Sequence, residues 1–444
     1  MRNSWILAAG LWLIFSSFSH AENRDEPIFQ EVSEIVGEIE RLSVARPTRD
    51  QIIRGCMDGL FKSSSVKAPH LKSAIKPEAT ANELMKSYQN IARSFATVPG
   101  QRTELPALVR ASVNSYLGTL DEFSRYESPE IYGAYLTAAK GKASIGLTIQ
   151  LKDGAMLCYP YPGLAADQAG VKAGDQLLMV NGVSVKGGGL LNAASTIGGP
   201  AGTEVELTVE RTYGRPSRIK VKRETLDVPE VAVEKQMGGY QIKIRKFSKI
   251  AIKQLEDALK STAKVRMLTL DLRGNGGGDL DAAVAMASLL LSPGNLIGSG
   301  KSGDQKEDYF SKQEPLIKPI STTILQDEGT ASAAEFFIAA LLAGMDGQVV
   351  NRGPDTFGKG VYQIGHVLRS GGFLVVTHGQ LLGPDGVSWH KKGIIQGWRP
   401  VAINAQKPKE AFTPEFPTQP EPVKPTEQEE DSVKMTSQGK VAPK

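Results

Sequence analysis

Val265-Arg266-Met267-Leu268-Thr269-Leu270-Asp271-Leu272-Arg273-Gly274-Asn275-Gly276-Gly277-Gly278-Asp279 is the stretch on which the reading of this chain turns. It opens as an apolar run of strand length, breaks into a glycine-rich turn, and leads into an apolar helical pattern from Asp279 to Leu291. The same order recurs downstream. Ile320–Leu325 predicts a strand, a turn follows, and Ala331–Leu342 predicts a helix. Upstream, Tyr240–Phe247 predicts a strand, and Ser248 is placed to cap a helix carrying Ile252, Leu255 and Leu259. Strands alternating with helices are the pattern of an α/β sheet with crossover connections, here filling residues 224–403.

Towards the N-terminus the period changes. Residues 139–223 hold short alternating runs, Leu147–Leu151 and Val205–Val209, with an Asn181-Gly182 hairpin signal between them, which predicts a small β domain. Residues 22–138 carry apolar side chains at helical spacing, Phe29, Val32, Ile35, Ile39 and Leu42 first. Thr48-Arg49-Asp50-Gln51 has the form of a capped helix start, and the Ser, Lys and Pro of 62–80 read as a loop. Residues 1–21 read as a secretory signal. Arg2 precedes an apolar run from Trp5 to Phe18 that is short for a membrane span, and small residues prepare a cut after Ala21. The expected compartment is the periplasm. Residues 404–444, rich in Pro, Glu, Gln and Lys, lack the apolar content to fold and are expected to be disordered. The fold class is therefore α/β multidomain, with a helical N-terminal region, a β domain, an α/β core and a disordered tail.

Bulk chemistry excludes several functions. A formal charge of +4 over 444 residues, without a dense Lys/Arg block, argues against a nucleic-acid partner. The five His show no HExxH spacing and two Cys cannot build a zinc site alone, so neither a metal nor another cofactor is expected. Cys56 and Cys158 fall in different predicted domains and are expected as two buried thiols.

Three turns carry reactive residue types. The glycine-rich turn fails the dinucleotide pattern GxGxxG because Asp279 stands at its last position, where it would repel a pyrophosphate. The alternative is that its N–H groups face an oxyanion. Asp327-Glu328-Gly329-Thr330-Ala331-Ser332-Ala333-Ala334-Glu335 sets Ser332 at a helix start, where a serine is either a cap or a nucleophile in the field of the helix N-terminus. Gly353-Pro354-Asp355-Thr356-Phe357-Gly358-Lys359-Gly360 approaches a phosphate-binding loop. Gly360 lacks the required hydroxyl, however, and Val361–Leu368 reads as a strand. A lysine serves as a base near neutrality only when desolvated. Lys359 lies among Thr356, Phe357, Gly358, Gly360 and Val361, with Asp355 the nearest acid in sequence. Competing arrangements are a Ser-His-Asp triad through His366 or His378, and the S-x-x-K spacing that recurs at Ser64–Lys67 and Ser73–Lys76.

Ile145-Gly146-Leu147, Ala169–Asp175 and Val180-Asn181-Gly182 together resemble a PDZ domain of bacterial proteases. With Leu120–Tyr126, the glycine-rich turn, Gly329–Glu335, Thr356–Gly360 and Thr377, the chain from about Leu120 to Gly393 resembles the C-terminal processing peptidase (tail-specific protease) family. That resemblance implies Ser332 as nucleophile, Lys359 as general base and Gln363 as the residue orienting Lys359. It also implies an oxyanion hole from the N–H groups of Ala333 and Gly277. Ile145, Gly146 and Leu147 would form the carboxylate loop and strand edge that accept a peptide by β-augmentation. Three departures stand beside it: Ala334 in place of a usual Ser, a long gap of 27 residues between Ser332 and Lys359, and no Pro-Asp ending in Gly393–Pro400. The implied activity is that of an exported serine endopeptidase, cleaving envelope proteins whose accessible C-terminal tails the PDZ domain recognises. The implied partners are protein or peptide substrates, an adaptor protein, and further copies of the chain through the helical region. The competing functions are a catalytically inactive PDZ peptide-binding scaffold and a hydrolase of small esters or lactams.

Overall fold

The computed structural model describes residues 25–400 apart from 65–75, 99–103, 141–142, 187–188, 212–213, 226–228, 263–264 and 346–347. The expected signal at 1–21, the tail at 404–444 and most of the 62–80 loop lie outside the described residues.

Four helices come first: α1 over 25–42, α2 (Arg49–Ser63), α3 (Ala81–Ala96) and α4 (Leu105–Leu120). α2 starts with the expected capping box, in which the Thr48 N–H donates to Gln51 Oε1 at 2.9 Å, and α3 repeats the device with Thr80 and Glu83. Their apolar stripes converge on Phe29, Ile52, Leu84, Tyr88 and Leu117. Tyr88 is fully buried, and its hydroxyl is satisfied by Ser112 Oγ at 2.7 Å. The chain then forms β1 (Arg125–Glu127) and α5 (Pro129–Lys140). β1 is a short strand inside the otherwise helical 22–138; three residues are too few to show a period of two.

The second region contains β2 (Ala143–Ser144), β3 (Leu147–Lys152), β4 (Ala155–Pro160), α6 (Ala165–Gln168), β5 (Asp175–Val180), β6 (Val183–Ser184), α7 (Leu190–Ile197), β7 (Glu204–Glu210), β8 (Ser217–Lys222) and β9 (Glu224–Thr225). Its sheet runs β3-β4-β5-β7-β8, antiparallel throughout, with β6 folded back on β5 through Asn181-Gly182. Both turn residues have positive φ, 49° and 77°, as the hairpin signal requires. Ile145, Val171, Leu177 and Leu207 fill its core, where Cys158 is a buried free thiol; Cys56 is another, in the helical cluster. β3 is an edge strand with α7 alongside it.

The third region comprises β10 (Val231–Gln236), β11 (Gly239–Ile244), α8 (Lys249–Ser261), β12 (Met267–Asp271), α9 (Leu280–Ser288), β13 (Leu296–Ser302), β14 (Gln305–Phe310), β15 (Ser321–Leu325), α10 (Ala333–Gly344), β16 (Gln348–Arg352), β17 (Val361–Val367) and β18 (Phe373–Leu382). The sheet β10-β11-β12-β15-β16 is parallel except for the β10/β11 pair, which matches the expected α/β pattern. Helix α10 is buried from Ala333 through Leu341 and forms the centre of the core with Phe247, Leu270, Met286 and Trp389. A second sheet, β1-β18-β13-β14 with β17 on β18, is antiparallel throughout and was not expected. It ties β1 to the C-terminal strands, and Leu368, Leu374 and Val376 complete the hydrophobic cluster of the N-terminal helices.

Candidate active site

β12, β15 and β16 are adjacent and parallel, so the segments that follow them leave the sheet at one edge. In open α/β sheets this carboxyl edge is where sites assemble. Short hydrogen bonds lock the three segments together. Gly274 N–H donates to Asp327 Oδ1 at 2.9 Å, Ala331 N–H to the Asn275 carbonyl at 3.0 Å, and Phe357 N–H to the Thr330 carbonyl at 2.9 Å. Ser332, Gly277 and Lys359, far apart in sequence, are thereby carried on one locked framework.

Ser332 occupies the turn between β15 and α10 with φ 57° and ψ −121°. A non-glycine residue held there is strained, of order 1–3 kcal/mol, and persists only where its surroundings enforce it. The enforcing group is Glu335, fully buried one turn into α10. Its carboxylate accepts Ser332 N–H at 2.8 Å, Lys359 N–H at 2.9 Å, Gly358 N–H at 2.8 Å and the Thr356 hydroxyl at 2.5 Å. Burial nonetheless pushes this carboxyl up to about 7. One side chain therefore fixes the backbone of both the serine turn and the lysine loop.

Lys359 Nζ lies over the Phe123 ring at 4.8 Å from its centroid. Burial lowers its pKa to about 8, the Arg125 guanidinium acts in the same direction, and Glu335, Asp121 and Glu122 oppose them. Those acids replace Asp355 as the carboxylates that bear on the amine. At pH 7 a lysine with a pKa of about 8 is about one tenth neutral, against about three parts in ten thousand at the ordinary 10.5.

Two expected roles are not formed in this arrangement. Gln363 Nε2 is buried without a hydrogen-bond partner, and no hydrogen bond joins it to Lys359 among the described residues. A shift in register between Tyr362 and Gln363 lies at this position. The Gly277 backbone does pack on the serine turn: a Cβ there would stand 2.9 Å from Ser332 Cβ and 3.0 Å from Ala333 N. Its N–H, however, is donated to Asn275 Oδ1 at 2.9 Å. The two alternative histidines are engaged elsewhere. His378 Nδ1 lies 2.6 Å from the Leu42 carbonyl and His366 Nε2 4.0 Å from Glu38.

In the β domain the Ile145 side chain is fully buried core, so only its backbone can serve a ligand. Gly146 N–H is 3.3 Å from Ser144 Oγ, and Leu147 begins the open edge of β3. The strand's alternate side chains turn the other way, onto the glycine-rich turn, the serine turn and the lysine loop. Thr148 packs against Gly276, Gln150 Nε2 donates to the Gly329 carbonyl at 2.8 Å, and Lys152 Nζ stands 5.1 Å from the centre of the Phe357 ring.

Residues 239–397 match Peptidase family S41 and residues 157–211 match the PDZ domain. Over 331 residues the chain is 33% identical to the carboxy-terminal processing protease CtpA of Bacillus subtilis (strain 168), covering 73% of this chain and 69% of that one. The chain belongs to the C-terminal processing serine peptidases of family S41. It is also 34% identical over 294 residues to a "Probable CtpA-like serine protease" of Staphylococcus aureus (strain COL), covering 65% of this chain and 59% of that protein. In three dimensions it resembles the photosystem II D1 C-terminal processing protease, with a TM-score of 0.61 at 21% identity, covering 80% of this chain and 94% of that one, a likeness of fold.

In this S41 peptidase, sequence reasoning missed Glu335 and Arg125 as site residues. Glu335 had a signal available: it is the only ionisable residue in the apolar run from Ala333 to Leu342, and a charge buried there needs donors. Arg125 stood in the family-like stretch Leu120–Tyr126, but nothing local showed its approach to Lys359, which is created by β1 joining β18.

Proposed function

We propose that this S41 peptidase is an exported serine endopeptidase with Ser332 as nucleophile and Lys359 as general base. The observation that carries the assignment is Glu335 binding the N–H groups of Ser332 and Lys359 with one carboxylate. Neutral Lys359 takes the proton from Ser332 Oγ as the oxygen attacks the scissile carbonyl. Ala333 N–H at the start of α10 stabilises the oxyanion, joined by Gly277 once its N–H leaves Asn275. Lys359 returns the proton to the departing amine, and water resolves the acyl-enzyme by the same route in reverse.

The PDZ domain receives a C-terminal tail on the open edge of β3 beside α7. Because the other face of β3 rests on the Gly276, Gly329 and Phe357 segments, tail binding and access to the dyad are coupled through one strand. Such coupling requires the tail to favour the lifted state. Envelope proteins with accessible C-termini are the proposed substrates and the periplasm the proposed compartment, both resting on the N-terminal sequence. An adaptor protein and a dimer or larger assembly through the helical region complete the proposal.

The test is cleavage of casein by the full chain and by Ser332→Ala, followed across pH. Activity should vanish in Ser332→Ala. In the unaltered protein it should rise with an apparent pKa near 8, since the base works only when neutral and its proton is lost as pH rises through that value. Equal cleavage by Ser332→Ala would remove the nucleophile assignment, and a wild-type rate in Lys359→Ala would remove the base.

A further inference from the structure

β1 is a three-residue strand, but two of its side chains, Arg125 and Glu127, lie between the PDZ domain and the catalytic lysine. Arg125 and Glu127 share one face of the strand, while Tyr126 joins the hydrophobic cluster on the other. Glu127 is only 3% exposed and its carboxylate rests on the first residues of α7, the helix beside the peptide-accepting edge. A Cβ at Gly189 would stand 1.9 Å from Glu127 Oε1, so the carboxylate occupies the space that a side chain would fill. The Leu191 N–H favours the charged carboxylate, as an open helix N-terminus does. Helix α5, which follows β1, packs along α7.

On the catalytic side, Arg125 donates to the Phe123 carbonyl at 3.1 Å, and the Phe123 ring carries the Lys359 amine. The link between the two halves is imperfect. Arg125 Nε and Glu127 Oε1 stand 3.4 Å apart, and both atoms are buried without a hydrogen-bond partner. A buried pair left part-satisfied is costly, and it gains when either end moves to close the gap.

We propose that Arg125 and Glu127 are positioning residues that transmit the seating of PDZ helix α7 to the charge environment of Lys359. While α7 is seated, Glu127 is shared between the helix N-terminus and Arg125, and the guanidinium charge bears on the lysine. When the contact between Glu127 and α7 changes, the sharing of the carboxylate changes with it, and so does the guanidinium charge left to bear on Lys359. The groups that face Lys359 are Arg125 from β1, Asp121 and Glu122 from the segment after α4, and Glu335 from α10; the His390 ring lies against Phe123 beside it. Tyr135 of α5 and Glu127 are the groups facing Arg125.

The proposal rests on Lys359 being the base, and the experiment separates the two claims. Initial rates on labelled casein, between about pH 6 and 10, are compared for the full chain, Glu127→Gln, Arg125→Gln and the double variant. Glu127→Gln keeps the volume but leaves Arg125 unscreened, so the acid limb should move down by about half a pH unit. Arg125→Gln removes a like charge and should move it up by a similar amount. In the double variant, Glu127→Gln should add no further movement. A purely structural role would change rates or melting temperature while leaving the limb in place. Superposed limbs for Glu127→Gln and the unaltered protein, with Lys359→Ala inactive, overturn this inference alone. A wild-type rate in Lys359→Ala overturns the base assignment instead. If Arg125→Gln fails to fold, the isosteric Glu127→Gln decides by itself.

Discussion

Glu335 and Glu127 are both glutamates buried in a folded interior, at 0% and 3% exposure, and burial raises the pKa of both. Their surroundings differ in kind. Glu335 accepts four hydrogen bonds from three backbone N–H groups and a hydroxyl, all between the serine turn and the lysine loop. Glu127 has one oxygen without a partner and a guanidinium beyond good hydrogen-bond range. A fully satisfied buried carboxylate fixes one geometry, whereas a part-satisfied one holds its neighbours less firmly. The first kind lies between the Ser332 turn and the Lys359 loop, the proposed nucleophile and base, where displacement should cost rate. The second lies at a domain junction, where displacement is useful.

The hardest test of that contrast is Glu335→Gln. The amide has the right volume, but its NH₂ group must face a donor, since all four partners donate. Leaving buried N–H groups unpaired should cost about 3 kcal/mol of stability and lower kcat/KM by about 100-fold, with the larger share in kcat. Thermal melting and steady-state kinetics on casein measure the two. A folded variant with unaltered kcat would break the comparison, because Glu335 would then hold nothing that the chemistry needs.

Gly189→Ala probes the other carboxylate without touching it, and a smaller effect is expected. Gly189 has φ −71°, which alanine adopts freely, so the substitution acts only by crowding Glu127 Oε1. The end of a glutamate can swing aside, so the fold should survive with less than about 1.5 kcal/mol lost. Displaced from α7, the carboxylate should close on Arg125, and the acid limb of the pH profile should rise, opposite in sign to Glu127→Gln. An unmoved limb would mean that the junction is only packing.

How much of this was legible beforehand follows from the range over which each feature is encoded. The β12 and β15 strands, their turns and the helices after them are local patterns, and so are the Thr48 capping box and the Asn181-Gly182 hairpin. Each could be read because its cause lies within a few residues. The second sheet could not. β13 contains Gly298, Ser299 and Gly300 and shows no alternation, and β1 is too short to have a period. The lysine's electrostatic neighbours were invisible for the same reason. Arg125, Asp121 and Glu122 reach Lys359 only through the β1–β18 pairing and the Asp121–Thr377 hydrogen bond at 2.9 Å. Gln363 and Gly277 were placed by resemblance, and no local pattern showed that Gln363 Nε2 would be left without a partner or that Gly277 N–H would be donated to Asn275.

The smallest expected effect is at Gln150, the PDZ side chain that meets the serine turn. Its Nε2 donates to the Gly329 carbonyl, while its Oε1 is buried and unpaired. The residue therefore seats β3 on the serine turn through one good bond and carries an orphan acceptor as the cost. Gln150→Ala removes both, so the net loss of seating should be less than the roughly 1 kcal/mol of an ordinary hydrogen bond. A shift of that size between seated and lifted PDZ domain changes their ratio by about fivefold at most. Basal casein cleavage should rise by about two- to fivefold. Stimulation by an added peptide with an apolar C-terminus should shrink by the same factor, because part of the shift has already been made. A basal rate that stays flat while stimulation is unchanged would separate the strand's two faces, and the contacts of Thr148, Gln150 and Lys152 would then be a resting place for the domain and not its latch.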